Sequence, residues 1–372
     1  RDALRLWAKV SDLASQLPED DETSALGVFS RLLQLDYAWR LGMERDRVDS
    51  LVAEARALAT KTGDLRSLTL LRLLESARPG LTQPAADWIV AVDEAIELAD
   101  RSGDDALRMA IRTAGSYAYM SAAEFGHCER LLDEALEIAG DDHSAGAGIV
   151  IGSPYAFAVQ FKGVICRERG EFEQAEELFD AALRIAAEQG DPETESWTRD
   201  QKAQLLSVHG DPDRSLALAQ RNYELTEHLG DVFSRTWALT TLCWVRLQVG
   251  DASGALEAIE RADRIYREAM GSGGEAEAWR TALFALALLG VDRVPEALEH
   301  AERAAAIARD RGMRWAQPRA LRALGEARAA AGEEEGASEA FEEAAAVARE
   351  TGSVFELGQV EAARESARIA AS

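Results

Sequence analysis

The sequence predicts an all-α protein, an α-solenoid built from about eight antiparallel helix pairs. Three observations lead to this prediction: the composition, a recurring ladder of small residues, and glycines at regular spacing. The 372 residues are rich in Ala, Leu, Glu and Arg and contain only eight Pro. They lack the alternating Val, Ile and Thr runs of half-buried strands, so helices are favoured throughout. This length is long for one globular domain and ordinary for a repeat array.

The repeat is clearest between Gly163 and Asp191, a stretch that predicts a helix, a tight turn and a second helix. Its ladder has spacings of seven, five, four and three, at Gly163, Gly170, Ala175, Phe179 and Ala182. Small residues let two helix backbones approach closely, and Phe179 is expected to fill the space between neighbouring pairs. The ladder recurs at Gly325, Gly332, Ala337, Phe341 and Ala344, and in altered form at Cys243, Gly250, Ala255, Ile259 and Ala262. The fifth pair departs from it with Ser215 and Asn222 at expected alanines.

Glycines mark the turn inside each pair and the end of its second helix. The predicted turn glycines are Gly42, Gly80, Gly126, Gly170, Gly210, Gly250, Gly290 and Gly332, spaced by 38 to 46 residues. Second helices are predicted to end at or near Gly63, Gly103, Gly140, Gly190, Gly230, Gly271, Gly312 and Gly352. Glycine ends a helix because it adopts the left-handed conformation at low cost, and a following Asp can cap the next helix.

This pattern resembles the tetratricopeptide repeat (TPR), in which pairs of antiparallel helices stack into a superhelix. The resemblance covers most of the chain and implies a right-handed α-solenoid whose first helices line a concave groove. The period exceeds the usual ~34 residues, so each helix is expected to be about one turn longer. Repeats of this length are similar to the C-terminal arrays of large bacterial signalling proteins, which follow ATPase, nucleotide cyclase or DNA-binding domains.

In chain order, five segments are predicted. They are an upstream helix and linker (1–22), TPR-like helix pairs one to three (23–140), an irregular joint (141–153), helix pairs four to eight (154–352) and a capping helix (353–372). The joint is glycine-rich yet carries Ile149, Val150 and Ile151. Two interpretations remain open. Either the joint covers an apolar seam between two half-arrays, or it enters the groove and shapes a binding site.

The charge and the cysteine content limit the partners and the cellular location that can be expected. The net charge of −25 argues against direct binding to nucleic acid or to an anionic membrane surface. No apolar run reaches the ~18–20 residues that span a bilayer. Three cysteines far apart in sequence favour a reducing, cytoplasmic location. The chain begins with Arg1 and is expected to be a piece of a longer protein, whose other domains are candidate partners.

Enzyme signatures are missing from the sequence. The glycine cluster at 271–279 lacks the Lys of a phosphate-binding loop, and the five histidines have no metal-ligand spacing. We therefore predict a non-enzymatic protein without a metal or cofactor.

The candidate site is a stripe on the first helices of pairs four to seven. Positions thirteen, ten and six before each turn glycine share one helical face, which the TPR resemblance assigns to the concave groove. There the sequence places Phe157, Gln160, Trp197, Asp200, Gln204, Trp237, Thr240, Trp244, Arg280 and Phe284. Aromatic anchors with a few polar groups suit a peptide, a partner protein or a small effector. Asp200 and Arg280 are expected to pair when the groove is empty. The alternative is that a tightly wound array buries this stripe in its own core.

These features favour a TPR-type binding and regulatory module of a bacterial signalling protein. The alternative function is a structural or assembly scaffold that docks onto other domains of its own chain.

Overall fold

The structure, a computed structural model, describes residues 2–18, 20–82, 84–270 and 276–371, and all regular structure in these ranges is helical. A leading helix α1 (Asp2–Ala14) is followed by eight antiparallel pairs and by a final helix α18 (Val354–Ala371). The pairs, numbered one to eight, are α2 (Asp21–Leu41) with α3 (Arg45–Thr62), α4 (Leu65–Thr82) with α5 (Ala85–Ser102), α6 (Asp105–Ser121) with α7 (Phe125–Ala139), α8 (Pro154–Arg169) with α9 (Phe172–Gln189), α10 (Pro192–His209) with α11 (Pro212–Leu229), α12 (Val232–Gln248) with α13 (Ala252–Met270), α14 (Glu277–Leu289) with α15 (Val294–Asp310), and α16 (Gln317–Ala330) with α17 (Glu334–Thr351). The predicted all-α solenoid is confirmed.

The ladder packs the two helices of a pair against each other. Phe179 of α9 is fully buried against Gly163 of α8, where an added Cβ atom would lie 2.8 Å from the ring. Phe341 and Gly325 make the same contact in pair eight, with a distance of 2.7 Å. The aromatic ring therefore occupies the space that the missing glycine side chain leaves. This contact lies within a pair, whereas the sequence predicted that Phe179 fills the space between pairs.

Aspartates cap the helices that follow the terminal glycines, as predicted. The Asp104 carboxylate accepts a hydrogen bond from the backbone N–H of Leu107, and Asp231 accepts one from Ser234. These bonds satisfy N–H groups that have no partner inside the helix. Each cap also fixes the direction in which the next first helix enters the solenoid. The predicted end near Gly271 lies outside the described residues, and α13 ends at Met270.

Two of the predicted turn glycines do not form turns, so this part of the prediction is wrong. Gly80 lies inside α4, and Gly126 lies in the first turn of α7. In pair three the left-handed conformation is taken instead by Ala123, with φ of 56°, and in pair seven by Asp292, with φ of 60°. Glycine spacing did not reveal these turns, because neither position is a glycine and alanine rarely adopts a positive φ.

The superhelix is wound so tightly that successive turns touch. Helix α2 of pair one packs on α12 of pair six, and α8 of pair four packs on α18. Between pairs two and seven, the Ala85 N–H donates to the Arg311 carbonyl at 2.8 Å; between pairs three and eight, the Trp315 N–H donates to the Ser121 carbonyl at 3.2 Å. Each contact joins a pair to the one five places further on, so about five pairs complete one turn.

Gly42, in the turn of pair one, makes the closest of these approaches. With φ of +81° it lies against the backbone of Ala269 in pair six, where an added Cβ atom would be 2.1 Å from the carbonyl oxygen. Only glycine fits a contact this close at a positive φ. Among the described residues, no helix combines the length and apolarity needed to cross a membrane.

Candidate ligand-binding cavity

The inner side of the superhelix contains a cavity of about 190 Å³. Its wall comes from helices α4, α5, α6, α8, α10, α12 and α13 and from the joint that connects α7 to α8. Among the described residues, eight aromatic side chains line it: Trp88, Tyr117, Phe157, Phe161, Trp197, Phe233, Trp237 and Tyr266. The remaining lining residues are Leu73, Leu74, Ala114, Val150, Ile151, Met270 and two glutamines, Gln160 and Gln201.

The aromatic residues form a continuous chain of ring contacts. In spatial order the rings are Trp88, Tyr117, Phe161, Phe157, Trp197, Phe233, Trp237, Trp279 and Trp315, with neighbouring centroids 4.3 to 6.0 Å apart. Most pairs are edge-to-face or stacked, the arrangements that aromatic quadrupoles prefer. Because each ring between the two ends of this chain contacts two others, the wall is formed before any ligand arrives.

Four of the ten predicted site residues lie at this cavity: Phe157, Gln160, Trp197 and Trp237. All four are buried. The Trp197 indole is oriented by a hydrogen bond from its Nε1 to the Ser234 hydroxyl at 3.0 Å. The sequence left groove and core as alternatives for these residues. In the structure they are buried in the core and also form the cavity wall.

Asp200 and Gln204 lie away from the cavity, and both have partners inside the protein. The Asn222 amide donates to the Asp200 carboxylate at 2.9 Å. The Gln204 amide donates to the Thr241 hydroxyl at 3.3 Å. Burial raises the pKa of Asp200 well above its usual value, and the hydrogen bonds from Asn222 and Thr241 offset this shift only in part.

The expected pair of Asp200 and Arg280 does not form. The Arg280 guanidinium lies 4.3 Å from the centroid of the Tyr266 ring and 3.9 Å from the Asp263 carboxylate. Both partners belong to α13, the helix that precedes Arg280 in the chain. Each of the two predicted partners therefore contacts another group instead: Asp200 contacts Asn222, and Arg280 contacts Tyr266.

Three further predicted residues also pack elsewhere. Thr240 donates to the Thr236 carbonyl of its own helix at 2.8 Å. The Trp244 indole donates to the Ser207 hydroxyl at 2.9 Å. Phe284 stacks on His300 with ring centroids 4.5 Å apart. Like Asp200, Gln204 and Arg280, these side chains do not line the cavity.

Sequence reasoning missed several lining residues. Phe161 and Phe233 lie one helical turn from the predicted Phe157 and Trp237, so a longer stripe would have included them. Trp88 and Tyr266 are on second helices, which the stripe did not cover. The joint could have been included, because its three consecutive apolar residues indicated that it packs against another part of the protein. Ile151 belongs to a buried apolar cluster against which Ile149 and Val150 also pack, and Val150 and Ile151 line the cavity, so the joint has features of both interpretations.

A buried ionic cluster lies beyond one end of the aromatic chain. Arg319 of α16 pairs with Glu168 of α8 at 3.3 Å and with Glu356 of α18 at 2.5 Å. Arg167 pairs with Glu168 at 2.9 Å, and the Ser353 hydroxyl donates to Glu168 at 2.5 Å. Burial alone would raise the pKa of Glu168, but Arg167 and Arg319 hold it below its usual value. The cluster joins pair four to the end of the next superhelical turn.

The ionic cluster reaches the cavity through one residue. Arg167 donates to the side-chain oxygen of Gln201 at 2.8 Å, and Gln201 lines the cavity.

In the part of the chain that the structure describes, no group of three His, Cys, Asp or Glu side chains is arranged to hold a metal ion.

Comparison with known proteins identifies the fold. No protein-family model and no curated protein matches the sequence. Among solved structures, a Rap protein complexed with Competence and Sporulation Factor is similar at 12% identity, with a TM-score of 0.69 over 94% of this chain and 97% of that chain. The Rap conjugation gene regulator of plasmid pLS20, in complex with the Phr* peptide, is also 12% identical, with a TM-score of 0.61 over 98% and 96%.

A chain of the APC/C hetero-tetramer Cut9–Hcn1 is similar as well, at 13% identity and a TM-score of 0.58 over 95% of this chain and 58% of that one. At such low identity these likenesses establish the fold and nothing finer. The protein is a TPR-like α-solenoid, and the resemblance drawn from the repeat ladder is confirmed.

Proposed function

We propose that this chain is a non-enzymatic, TPR-type regulatory module that binds a ligand in the aromatic cavity on its concave side. The observation that carries the proposal is the cavity itself, which combines a preformed aromatic wall with few polar groups: among the described residues, two glutamines and the hydroxyls of two tyrosines. Sites for small molecules and for anchoring side chains are built this way, with a mostly apolar wall and a few polar groups that fix orientation.

The similar structures support a binding role. Two of them hold a signalling factor or peptide, and each is matched over at least 94% of this chain. One of those proteins is described as a gene regulator. A regulatory module of a bacterial signalling protein, working in the reducing cytoplasm, agrees with this likeness and with three free, buried cysteines.

The test fills the cavity and asks whether binding is lost. Ala114 lines the cavity, and Ala114→Leu places a larger apolar side chain inside it. Ala329→Leu introduces the same side chain at a half-buried position of α16 outside the cavity and serves as the control. Small molecules and short peptides are screened for thermal stabilisation of the wild-type protein, since a ligand that binds only the folded state raises the melting temperature.

We expect at least one compound that stabilises the wild type and Ala329→Leu but not Ala114→Leu. If every stabilising compound acts equally on all three proteins, the cavity is not the site. Binding of flanking domains of the parent protein that survives Ala114→Leu would favour the scaffold role. The six predicted site residues that do not line the cavity support that alternative.

A further inference from the structure

We infer that the ligand is a free, neutral aromatic molecule carrying one hydroxyl or amide group, with its ring among the aromatic wall residues and its polar group on Gln160. This inference rests on the proposed function, because it takes the aromatic cavity as the binding site. Four properties of the cavity lead to it: volume, one unpaired polar atom, the lack of charge, and the scarcity of partners for a peptide backbone.

The volume limits the size of the ligand. The cavity measures about 190 Å³, whereas pockets for drug-sized molecules span ~300–1,000 Å³. A cavity of ~150 Å³ lined by apolar side chains is known to hold benzene. A single substituted ring is therefore the size that fits.

Gln160 defines the polar contact. Its side chain is 1% exposed and lines the cavity, and its Oε1 atom has no hydrogen-bond partner among the described residues. This atom has almost no accessible surface, so the Gln160 side chain must turn towards a ligand in the cavity before the two can pair. A buried polar atom without a partner is costly, so a ligand that supplies the partner gains affinity. A hydroxyl or an amide both donates and accepts, and can therefore pair with either end of the Gln160 amide.

The lining argues for a neutral ligand. None of the described residues that line the cavity is Asp, Glu, Lys, Arg or His. An ionised group would lose its hydration without gaining a counter-charge, and an anion would also meet the field of a protein with net charge −25. A cation could gain from the aromatic faces, so a cationic probe belongs in the test.

An extended peptide fits the cavity poorly. Each of its residues brings an N–H and a C=O group that need partners. Among the described residues, the cavity offers two glutamines and the hydroxyls of Tyr117 and Tyr266, and Gln201 already accepts a hydrogen bond from Arg167. The polar side chains once expected in the groove, Asp200 and Gln204, are engaged by Asn222 and Thr241.

The experiment uses methionine methyl groups as local reporters. The full chain is labelled with ¹³C-methyl methionine and titrated with phenol, toluene, choline and the end-capped tripeptide Gly-Tyr-Gly. Met270 lines the cavity, while Met109 and Met313 are buried elsewhere and serve as internal controls in the same spectrum. We expect phenol and toluene to shift the Met270 signal and to leave the Met109 and Met313 signals in place.

Gln160→Met tests the polar contact, because it keeps an unbranched side chain of similar length and removes the amide. We expect the ratio of the toluene Kd to the phenol Kd to fall about fivefold to tenfold in this variant, as the loss of one hydrogen bond predicts. Toluene binding itself should persist, which shows that the variant is folded. Ala114→Leu should abolish both shifts, and Ala329→Leu should keep them.

Other outcomes would overturn the inference. An unchanged ratio in Gln160→Met would exclude Gln160 as the polar contact. Tighter binding of choline or of the tripeptide than of phenol, still abolished by Ala114→Leu, would refute the ligand class and leave the proposed function standing. If no probe moves Met270 and the compounds found in the stabilisation screen are insensitive to Ala114→Leu, both proposals fail together.

Discussion

Two residues of pair five show how single side chains replace the repeat ladder without disturbing the fold. Ser215 and Asn222 occupy positions where the other ladders have alanine. The Ser215 hydroxyl donates to the Ala203 carbonyl at 2.7 Å, and the Asn222 amide donates to the Ser196 carbonyl at 3.0 Å as well as to Asp200. Both substitutions are polar, buried and directed at α10. Pair five therefore joins its helices through hydrogen bonds where the other ladders use alanine contacts.

Asp200 should make the stability of the protein depend on pH. Its pKa is raised in the folded state by burial, so the stability that this group contributes is fully present below the unfolded-state pKa of ~3.9. It is lost as the pH rises through the folded-state pKa. Replacing the carboxylic acid by an amide removes this effect. The free energy of unfolding of Asp200→Asn, relative to wild type, should therefore increase with pH between pH 4 and pH 8 in urea denaturation.

The matched control for Asp200→Asn is Asp12→Asn, because Asp12 is exposed on α1. The stability difference of Asp200→Asn from wild type should change more with pH than that of Asp12→Asn. Equal pH dependence in the two variants would mean that burial does not shift the titration of the Asp200 carboxyl group.

Within a helix pair, the structure follows from contacts that are close in sequence. The glycine–phenylalanine contact in pair four spans 16 residues, and the aspartate caps span three. Such local features could be predicted from spacing, and the ladder, the caps and the all-helical fold were. The turns at Ala123 and Asp292 could not, because neither position is a glycine and both residue types occur throughout the chain.

Phe179→Ala should lower the free energy of unfolding by about 3–5 kcal/mol, because it leaves a void between α8 and α9. Gly163→Ala should also destabilise, by about 1–3 kcal/mol, since its new Cβ atom would meet the Phe179 ring. In the double variant the second substitution should cost less, because the smaller side chain leaves room for the methyl group. Chemical denaturation of the four proteins measures this coupling.

Phe29→Ala provides the control for these core substitutions, since Phe29 is 52% exposed. It should cost less than about 1 kcal/mol. Strict additivity of Gly163→Ala and Phe179→Ala would contradict the packing described for pair four.

At the scale of the whole molecule, the cavity depends on the pitch of the superhelix. Trp88 of pair two and Trp237 of pair six line the same cavity although almost 150 residues separate them. No local sequence pattern predicts that about five pairs make one turn. This number results from contacts between residues far apart in the chain, such as those of α2 with α12. For this reason the sequence predicted four of the cavity residues and also six that pack elsewhere.

The contacts between turns also change how the array should unfold. A repeat array with nearest-neighbour contacts alone unfolds in local units. Here the ionic cluster of Arg319, Glu168 and Glu356 joins α8 to α16 and α18, which are far along the chain. Pair four and the C-terminal end should therefore unfold together.

Arg319→Met tests this closure of the superhelix. The substitution preserves much of the volume and leaves Glu356 without its cation, so the free energy of unfolding should fall by about 3–5 kcal/mol. The two turns should also separate, which would increase the radius of gyration measured by X-ray scattering. Arg309→Met is the control, because the pair of Arg309 and Glu343 is solvent-exposed, at 44% and 41%, and should contribute no more than about 1 kcal/mol. If Arg319→Met matches this control in both measurements, the turns are held together by their apolar and backbone contacts, and the ionic cluster does not close the superhelix.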